Sequence, residues 1–287
     1  MKLADRLAVV TGASRGLGFA IARRFVLEGA SVLLCARTAV DLHGAAEQLR
    51  HAAPPGVQVL AEPADVSSEA DVGRLAGIVE NQFKKLDILV SNAGIYGPKG
   101  AVEEVDWDAW SQAISINLFG TVLCCRAFVP LLRQSAHGKI LLLSGGGATK
   151  PMPFLSAYAA SKAAVVRFGE TLAEELREAG TDVNCIAPGA LNTRMLEEVL
   201  SAGPQKVGRS YYEASLRQKE SGGASLERAT DLCVYLAGSE SDGITGKLIS
   251  AVWDPWTDFD VHRRDLQETD VYTLRRIVPG ERGLSWG

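Results

Sequence analysis

The chain has 287 residues, 47% of them hydrophobic and 22% charged, enough to close one sizeable α/β core. A formal net charge of -4 and a pI near 5.7 leave no basic footprint for a phosphate backbone, so nucleic acid is excluded as an expected partner and small molecules are favoured. No uninterrupted apolar run approaches the roughly 20 residues of a membrane span, and MKLADRLAVVTGASRG lacks a cleavable apolar leader, so a soluble, cytoplasmic protein without a membrane partner is expected.

The first apolar run, LAVVT (7–11), passes into TGASRGLG (11–18), which opens an amphipathic helix. Gly12, Gly16 and Gly18 stand there in GxxxGxG spacing, with Ser14, Arg15 and Leu17 between them. Glycines let the backbone turn tightly and approach a pyrophosphate, while a helix N-terminus offers free N–H groups and a positive dipole end. A glycine-rich turn that merely packs its helix is the plain alternative.

The second run, SVLLCA (31–36), is followed by Arg37 and Thr38. A dinucleotide fold that selects NAD usually ends this strand with an acid that grips the ribose 2′-OH. Arg37 stands there instead, and with Arg15 it can pair with a 2′-phosphate, so NADP(H) is favoured over NAD(H). After the third run, VQVLAE (57–62), Asp65 offers a carboxylate to an adenine amino group and Val66 an apolar contact. Helix capping, by Asp65 or by Ser67 or Ser68, competes with that reading. Asn92, Ala93 and Gly94, after LDILVS (86–91), make a small-residue turn where bulk would block a nucleotide.

Asn117 falls within AISINLFGTV on a long predicted helix, an awkward place for an amide that competes with backbone bonds. KILLLS (139–144) ends in Ser144 and runs into Gly145-Gly146-Gly147. Tyr158 and Lys162 lie four apart on a predicted helix, so the ammonium sits near the phenol and is expected to lower a pKa that is ordinarily about 10. DVNCIA (182–187) leads to Pro188, Gly189 and Thr193. Residues 190–225 break into short helical pieces suited to a substrate lid with an apolar lining, and GKLISAV (246–252) is the last strand. In the tail, residues 253–287, Trp253, Trp256 and Phe259 are expected to edge the pocket or, preferentially, to pack against another subunit. Five cysteines without ligand spacing read as reduced core residues, and no metal site is expected.

Strand and helix alternation of this kind predicts a Rossmann-type, doubly wound, seven-stranded parallel sheet flanked by helices, with sites beyond the carboxyl ends of the strands. Residues 1–252 form one dinucleotide-binding and catalytic domain, and 253–287 an extension packing on it or on a neighbouring subunit.

TGASRGLG, ADV, SNAG, Asn117 in SINLFG, YAASK and PGALNT together resemble the short-chain dehydrogenase/reductase family over about residues 5–252. The resemblance implies an oxidoreductase interconverting an alcohol and a ketone, with Tyr158 as general acid/base. It implies that Lys162 reaches the nicotinamide ribose and that Asn117 distorts its helix and holds a proton-relaying water. Pro188 and Gly189 would lie against the nicotinamide, Thr193 near its carboxamide, and the helices bearing Asn117 and Tyr158 would build a homotetramer or homodimer. The family's carbonyl-binding serine usually stands thirteen positions before the tyrosine, where this chain has Gly145. Two readings follow: Ser144, slightly preferred, or Thr149 reaches the carbonyl, or backbone N–H groups of the glycine run do so. An NADP-binding regulatory or scaffold protein with weak turnover is the alternative function.

Overall fold

The computed structural model describes residues 1–286. Seven strands form one parallel sheet in the order β3-β2-β1-β4-β5-β6-β7: β1 Leu7–Thr11, β2 Ser31–Ala36, β3 Val59–Pro63, β4 Ile88–Ser91, β5 Gly138–Leu143, β6 Thr181–Ala187 and β7 Lys247–Ser250. The order reverses between β1 and β4, which opens a crevice at their carboxyl ends. β3 starts two residues later than the apolar pattern predicts, because Val57 N–H bonds Pro54 O in a turn before the strand. β5 stops at Leu143 and leaves Ser144 just beyond the ladder.

The helices are α1 Gly16–Leu27, α2 Ala39–Ala52, α3 Glu69–Phe83, α4 Trp107–Ile114, α5 Gly120–Leu132, α6 Ser156–Leu176, α7 Arg194–Ala202, α8 Pro204–Val207, α9 Arg209–Ser221, α10 Leu226–Ala237 and α11 Arg263–Glu268. Alternation along the strands gives two cores, since successive side chains point to opposite faces. Val10, Leu34, Val90, Leu141 and Ile186 pack with Phe25 of α1 and Leu232 of α10. Val9, Leu33, Leu89, Ile140 and Val183 pack with Leu75 of α3, Phe128 of α5 and Val166 of α6. All five cysteines are free and buried within these two layers.

Two of the tail aromatics belong to the first core and to no subunit contact or pocket rim: Trp256 and Phe259 are buried, and Trp256 Nε1 donates to Ala251 O at 3.1 Å. Only Trp253, 85% exposed, keeps the surface position expected of all three. Burying such a ring contributes about 1.5–3 kcal/mol, and interior and interface sites draw on the same residue types, so the pattern alone does not separate them. Farther on, the tail runs beside the edge strand. Leu248 N–H donates to Tyr272 O at 2.7 Å, and Lys247 Nζ donates to Thr269 O and Val271 O at 2.9 and 3.1 Å.

The helical rod Trp107–Leu132 has a mean hydropathy of 1.6 and is long and apolar enough to cross a membrane by length and composition. In this fold 44% of that window is buried, its inner face lying on the sheet. His137, Asp182 and Asp242 bring ligand atoms within 4.8 Å of one another, but the cation among them is Lys139, whose ammonium lies 2.8 Å from Asp182 and 2.7 Å from Asp242.

Candidate active site

β1 ends at Thr11 and the chain turns through Gly12, whose φ of +65 favours glycine. Asn92 fastens this loop to the one after β4. Its Nδ2 donates to Thr11 O at 2.9 Å and to Gly12 O at 3.2 Å, while Thr11 Oγ1 accepts from the N–H groups of Asn92 and Ala93 at 3.0 and 3.1 Å. A side chain on Gly18 would collide with both Gly12 O and Asn92 Nδ2. α1 begins with no side-chain cap and no acid in its first turn, so its leading N–H groups and positive dipole end are the donor set that a pyrophosphate takes up. Over Gly16 the turn is open: the nearest atom to a Cβ there is Thr193 Cγ2, 4.0 Å away. Gly16, within the run Ser14, Arg15, Gly16 and Leu17, therefore leaves its backbone open with Thr193 across from it.

At the outer end of the crevice Arg37, just past β2, is exposed, and Arg15 approaches Asp41 only to 3.9 Å. Asp65 Oδ1 accepts from the Ser67 N–H at 2.9 Å and hydroxyl at 2.6 Å, which closes a turn and leaves Oδ2 outside it. The α3 cap is Ser68, whose Oγ accepts from Asp71 N–H at 3.3 Å. Val66 does not offer the apolar side-chain contact expected of it. It packs on Gly120 of α5, where a Cβ would come within 2.8 Å of Val66 Cγ2.

Between α4 and α5 the helix widens into a π turn, Ser115–Phe119, with Asn117 buried at its centre. A π turn frees backbone groups and often marks a functional site. Asn117 Oδ1 accepts from Ile95 N–H at 2.8 Å, and its Nδ2 donates to Ile95 O and to Ser161 Oγ, both at 2.9 Å. The amide thus ties the loop after β4 to α6, one residue before Lys162. Thr121 Oγ1 donates to Asn117 O at 2.8 Å.

Tyr158 and Lys162 lie one turn apart on α6, but the ammonium bonds a carbonyl and not the phenol. Lys162 Nζ donates to Leu143 O at 2.6 Å and stands 5.9 Å from the Tyr158 ring centroid. Burial lowers the Lys162 pKa to about 8. Burial, and after it the neighbouring Tyr211, pushes the Tyr158 phenol well above its ordinary range. Both groups are desolvated, which disfavours the charged form of each and opposes the lowering expected from lysine. Gly94 leaves room for the pair, since a Cβ on it would lie 3.5 Å from Lys162 Nζ and 3.2 Å from Asn117 Oδ1.

Ser144 is turned away from this group. Its Oγ points to Lys162 O at 3.5 Å, buried against α6. Gly145 faces the tyrosine: a Cβ on it would lie 2.5 Å from Tyr158 Oη. The strand carries no bulge that brings Ser144 into register, because β5 stays paired with β6 through Leu143↔Ile186 and Ser144 N–H continues to Ile186 O at 2.8 Å. The preference for Ser144 as carbonyl donor is thus corrected. Thr149 is exposed, at the end of the short turn Gly146–Ala148.

Beyond β6, Pro188 is half-buried and Gly189 turns with φ +94 under Val252 and Ala224. Residues 194–221 fold as α7, α8 and α9 over the crevice. Among the contacts that hold them, Glu198 of α7 lies 3.7 Å from Lys99, and Tyr211 Oη of α9 shares a hydrogen bond of 3.3 Å with Tyr96 Oη. Tyr96 in turn packs its ring on Tyr158, with centroids 4.6 Å apart. Tyr96, Lys99, Ser161 and Thr11 were not among the residues picked from the sequence. Thr11 and Ser161 sit inside picked motifs, whereas Tyr96 carries only the signal of an aromatic two residues past Gly94.

A switch-point crevice lined by a glycine turn, a π-turn asparagine and a buried tyrosine-lysine pair defines a dinucleotide-dependent oxidoreductase. The chain belongs to the short chain dehydrogenase family, whose model matches residues 6–203. It is 30% identical over 247 residues to the pig dehydrogenase/reductase SDR family member 4, covering 86% of each chain. Among solved structures it resembles an NAD+-bound xylitol dehydrogenase, with TM-score 0.80, 25% identity and coverage of 87% of this chain and 98% of that one. It also resembles the Pseudomonas aeruginosa RhlG/NADP complex, with TM-score 0.75, 32% identity and coverage of 87% and 95%. The chain is thus an oxidoreductase of a family that acts on alcohols and ketones with a nicotinamide cofactor.

Proposed function

We propose that the protein is an NADP(H)-dependent oxidoreductase that interconverts a carbonyl compound and a secondary alcohol, with Tyr158 as general acid/base. The observation that carries this reading is the buried Tyr158 phenol over Gly145 at the mouth of the crevice, with Lys162 anchored on Leu143 O behind it. The residues present fit the cofactor. The uncapped start of α1 would hold its pyrophosphate, Arg37 and Arg15 a 2′-phosphate, Asp65 Oδ2 the adenine amine, and Asn92, Ala93, Gly94, Pro188, Gly189 and Thr193 would flank its nicotinamide half. When bound, the nicotinamide supplies or accepts a hydride.

The protein's own part is the proton. A phenol held above its ordinary pKa stays protonated at neutral pH, the form that gives its proton to a carbonyl oxygen as hydride reaches the carbon. In the opposite direction the phenolate takes the alcohol proton, and this form becomes available only as pH rises. Lys162, with a pKa of about 8, would place a positive charge near the ribose below that pH. The lid helices exclude water from the phenol.

The known relatives use either cofactor, so the choice of NADP(H) rests on Arg37 standing free at the end of β2. Phe119, 54% accessible at the end of the π turn that leads into α5, supports association of two or four copies through α5 and α6. Buried free cysteines suit a reducing, cytoplasmic setting. NADPH oxidation across a ketone and aldehyde panel, with Tyr158→Phe as the control, tests the reading. Turnover that is absent throughout would leave the regulatory, binding-only protein as the better account, and turnover that survives in the variant would remove Tyr158 as the acid/base.

A further inference from the structure

The carbonyl-binding hydroxyl of this site has no obvious owner. Ser144 is committed to Lys162 O, and Gly145 has no side chain to offer. The space next to Tyr158 is instead walled by two other phenols. Tyr96 reaches it from the loop after β4 and lays its ring on Tyr158 at an angle of 60°, with centroids 4.6 Å apart. Tyr211 reaches it from α9 of the lid, its Oη 3.3 Å from Tyr96 Oη.

Resting on the reading of this crevice as a carbonyl and alcohol site, we propose that Tyr211 is the second hydroxyl donor to the substrate oxygen, with Tyr96 positioning it. Tyr96 donates to Tyr211 Oη, and Tyr211 O–H is then free to point at the oxygen that Tyr158 protonates. A chain of two phenols polarises along its length, so the terminal donor is strengthened. No bond is made or broken at Tyr211; the proton still comes from Tyr158 and the hydride from the cofactor. Lys99 steadies the arrangement twice over, with its ammonium 5.5 Å from the Tyr96 ring centroid and 3.7 Å from Glu198. Because the donor rides on α9, the site is complete only with the lid closed, which links full polarisation of the carbonyl to exclusion of water.

The experiment is steady-state ketone reduction by Tyr211→Phe, Tyr96→Phe and Lys99→Met, with cofactor affinity measured by fluorescence. Loss of one donor of this kind lowers kcat by about 10²-fold, so Tyr211→Phe is expected to do so with cofactor affinity unchanged. Tyr96→Phe is expected to lower kcat by a smaller factor, because the donor remains but is no longer aimed. Lys99→Met loosens the lid without removing a donor and is expected to raise KM and to lower kcat by a smaller factor than Tyr211→Phe, a KM-against-kcat split that separates a lid defect from loss of the donor. Tyr158-dependent turnover that is unchanged in Tyr211→Phe, or that falls in Ser144→Ala instead, overturns the assignment. Turnover that survives Tyr158→Phe overturns the underlying reading and is recognised by that control.

Discussion

Tyr158 Oη lies 2.5 Å from the point that a Cβ on Gly145 would occupy, so this phenol fills the place where a side chain would otherwise stand. Gly145 is extended, with φ -177, a conformation open to any residue, and the demand for glycine is therefore one of space. Gly145→Ala is expected to push the ring aside and lower kcat by about 10²-fold, the usual effect of displacing a reacting group by about 1 Å. Gly145→Ser is expected to do no better, because its Cβ meets the same phenol before its hydroxyl can help. Kinetics with cofactor titration checks this; a gain in kcat for the serine variant would show that the phenol yields freely.

Arg37→Asp is expected to weaken NADPH binding by about 10- to 10²-fold, the worth of one charged hydrogen bond, and to leave NADH binding equal or improved. Dissociation constants for both cofactors in the parent and the variant decide it. Equal affinities in the parent would show that the arginine reads nothing.

Lys162 gives the fold a pH signature. Its folded pKa of about 8 lies below the ordinary 10.5, so between those values the unfolded chain binds more protons than the folded one, and stability rises with pH across that window. Lys162→Met removes this slope. The variant's advantage over the parent in denaturant midpoint is expected to be largest near pH 7 and to shrink by pH 10, by at most about 3 kcal/mol. A constant difference would place the lysine in a solvated setting.

Gly18→Ala is expected to cost about 1–3 kcal/mol of stability and to abolish cofactor binding, since the added methyl meets the backbone of Gly12 and the amide that joins the two loops. Thermal unfolding with and without cofactor checks both effects. Gly146→Ala is the comparison, because a Cβ there meets nothing within 4 Å.

The parts of the site that depend on local order were legible. Apolar runs in alternation named the seven strands, TGASRGLG named the tight turn into α1, and a four-residue spacing put Tyr158 and Lys162 on one helix face. The cost of an asparagine in AISINLFGTV marked the position, and the family resemblance named the distorted helix that the π turn supplies. What depends on packing across the chain was not legible. The facing of Ser144 follows from β5 keeping its register to the end, the raised phenol from burial, and the meeting of Tyr96 with Tyr211 from a lid that brings together residues 115 positions apart. Trp256 and Phe259 resembled a contact surface because a ring suited to an interface suits a core equally well.

The stretch of tail along β7 bears on how molecules meet. An outermost strand is the flank on which sheets of separate copies can join edge to edge into a continuous ribbon. Here Tyr272 O takes up the Leu248 N–H, and Lys247 is drawn onto the carbonyls of Thr269 and Val271. The chain thereby supplies its own neighbour along that flank. The two- or four-copy assembly proposed through α5 and α6 would then close on itself without growing along that flank.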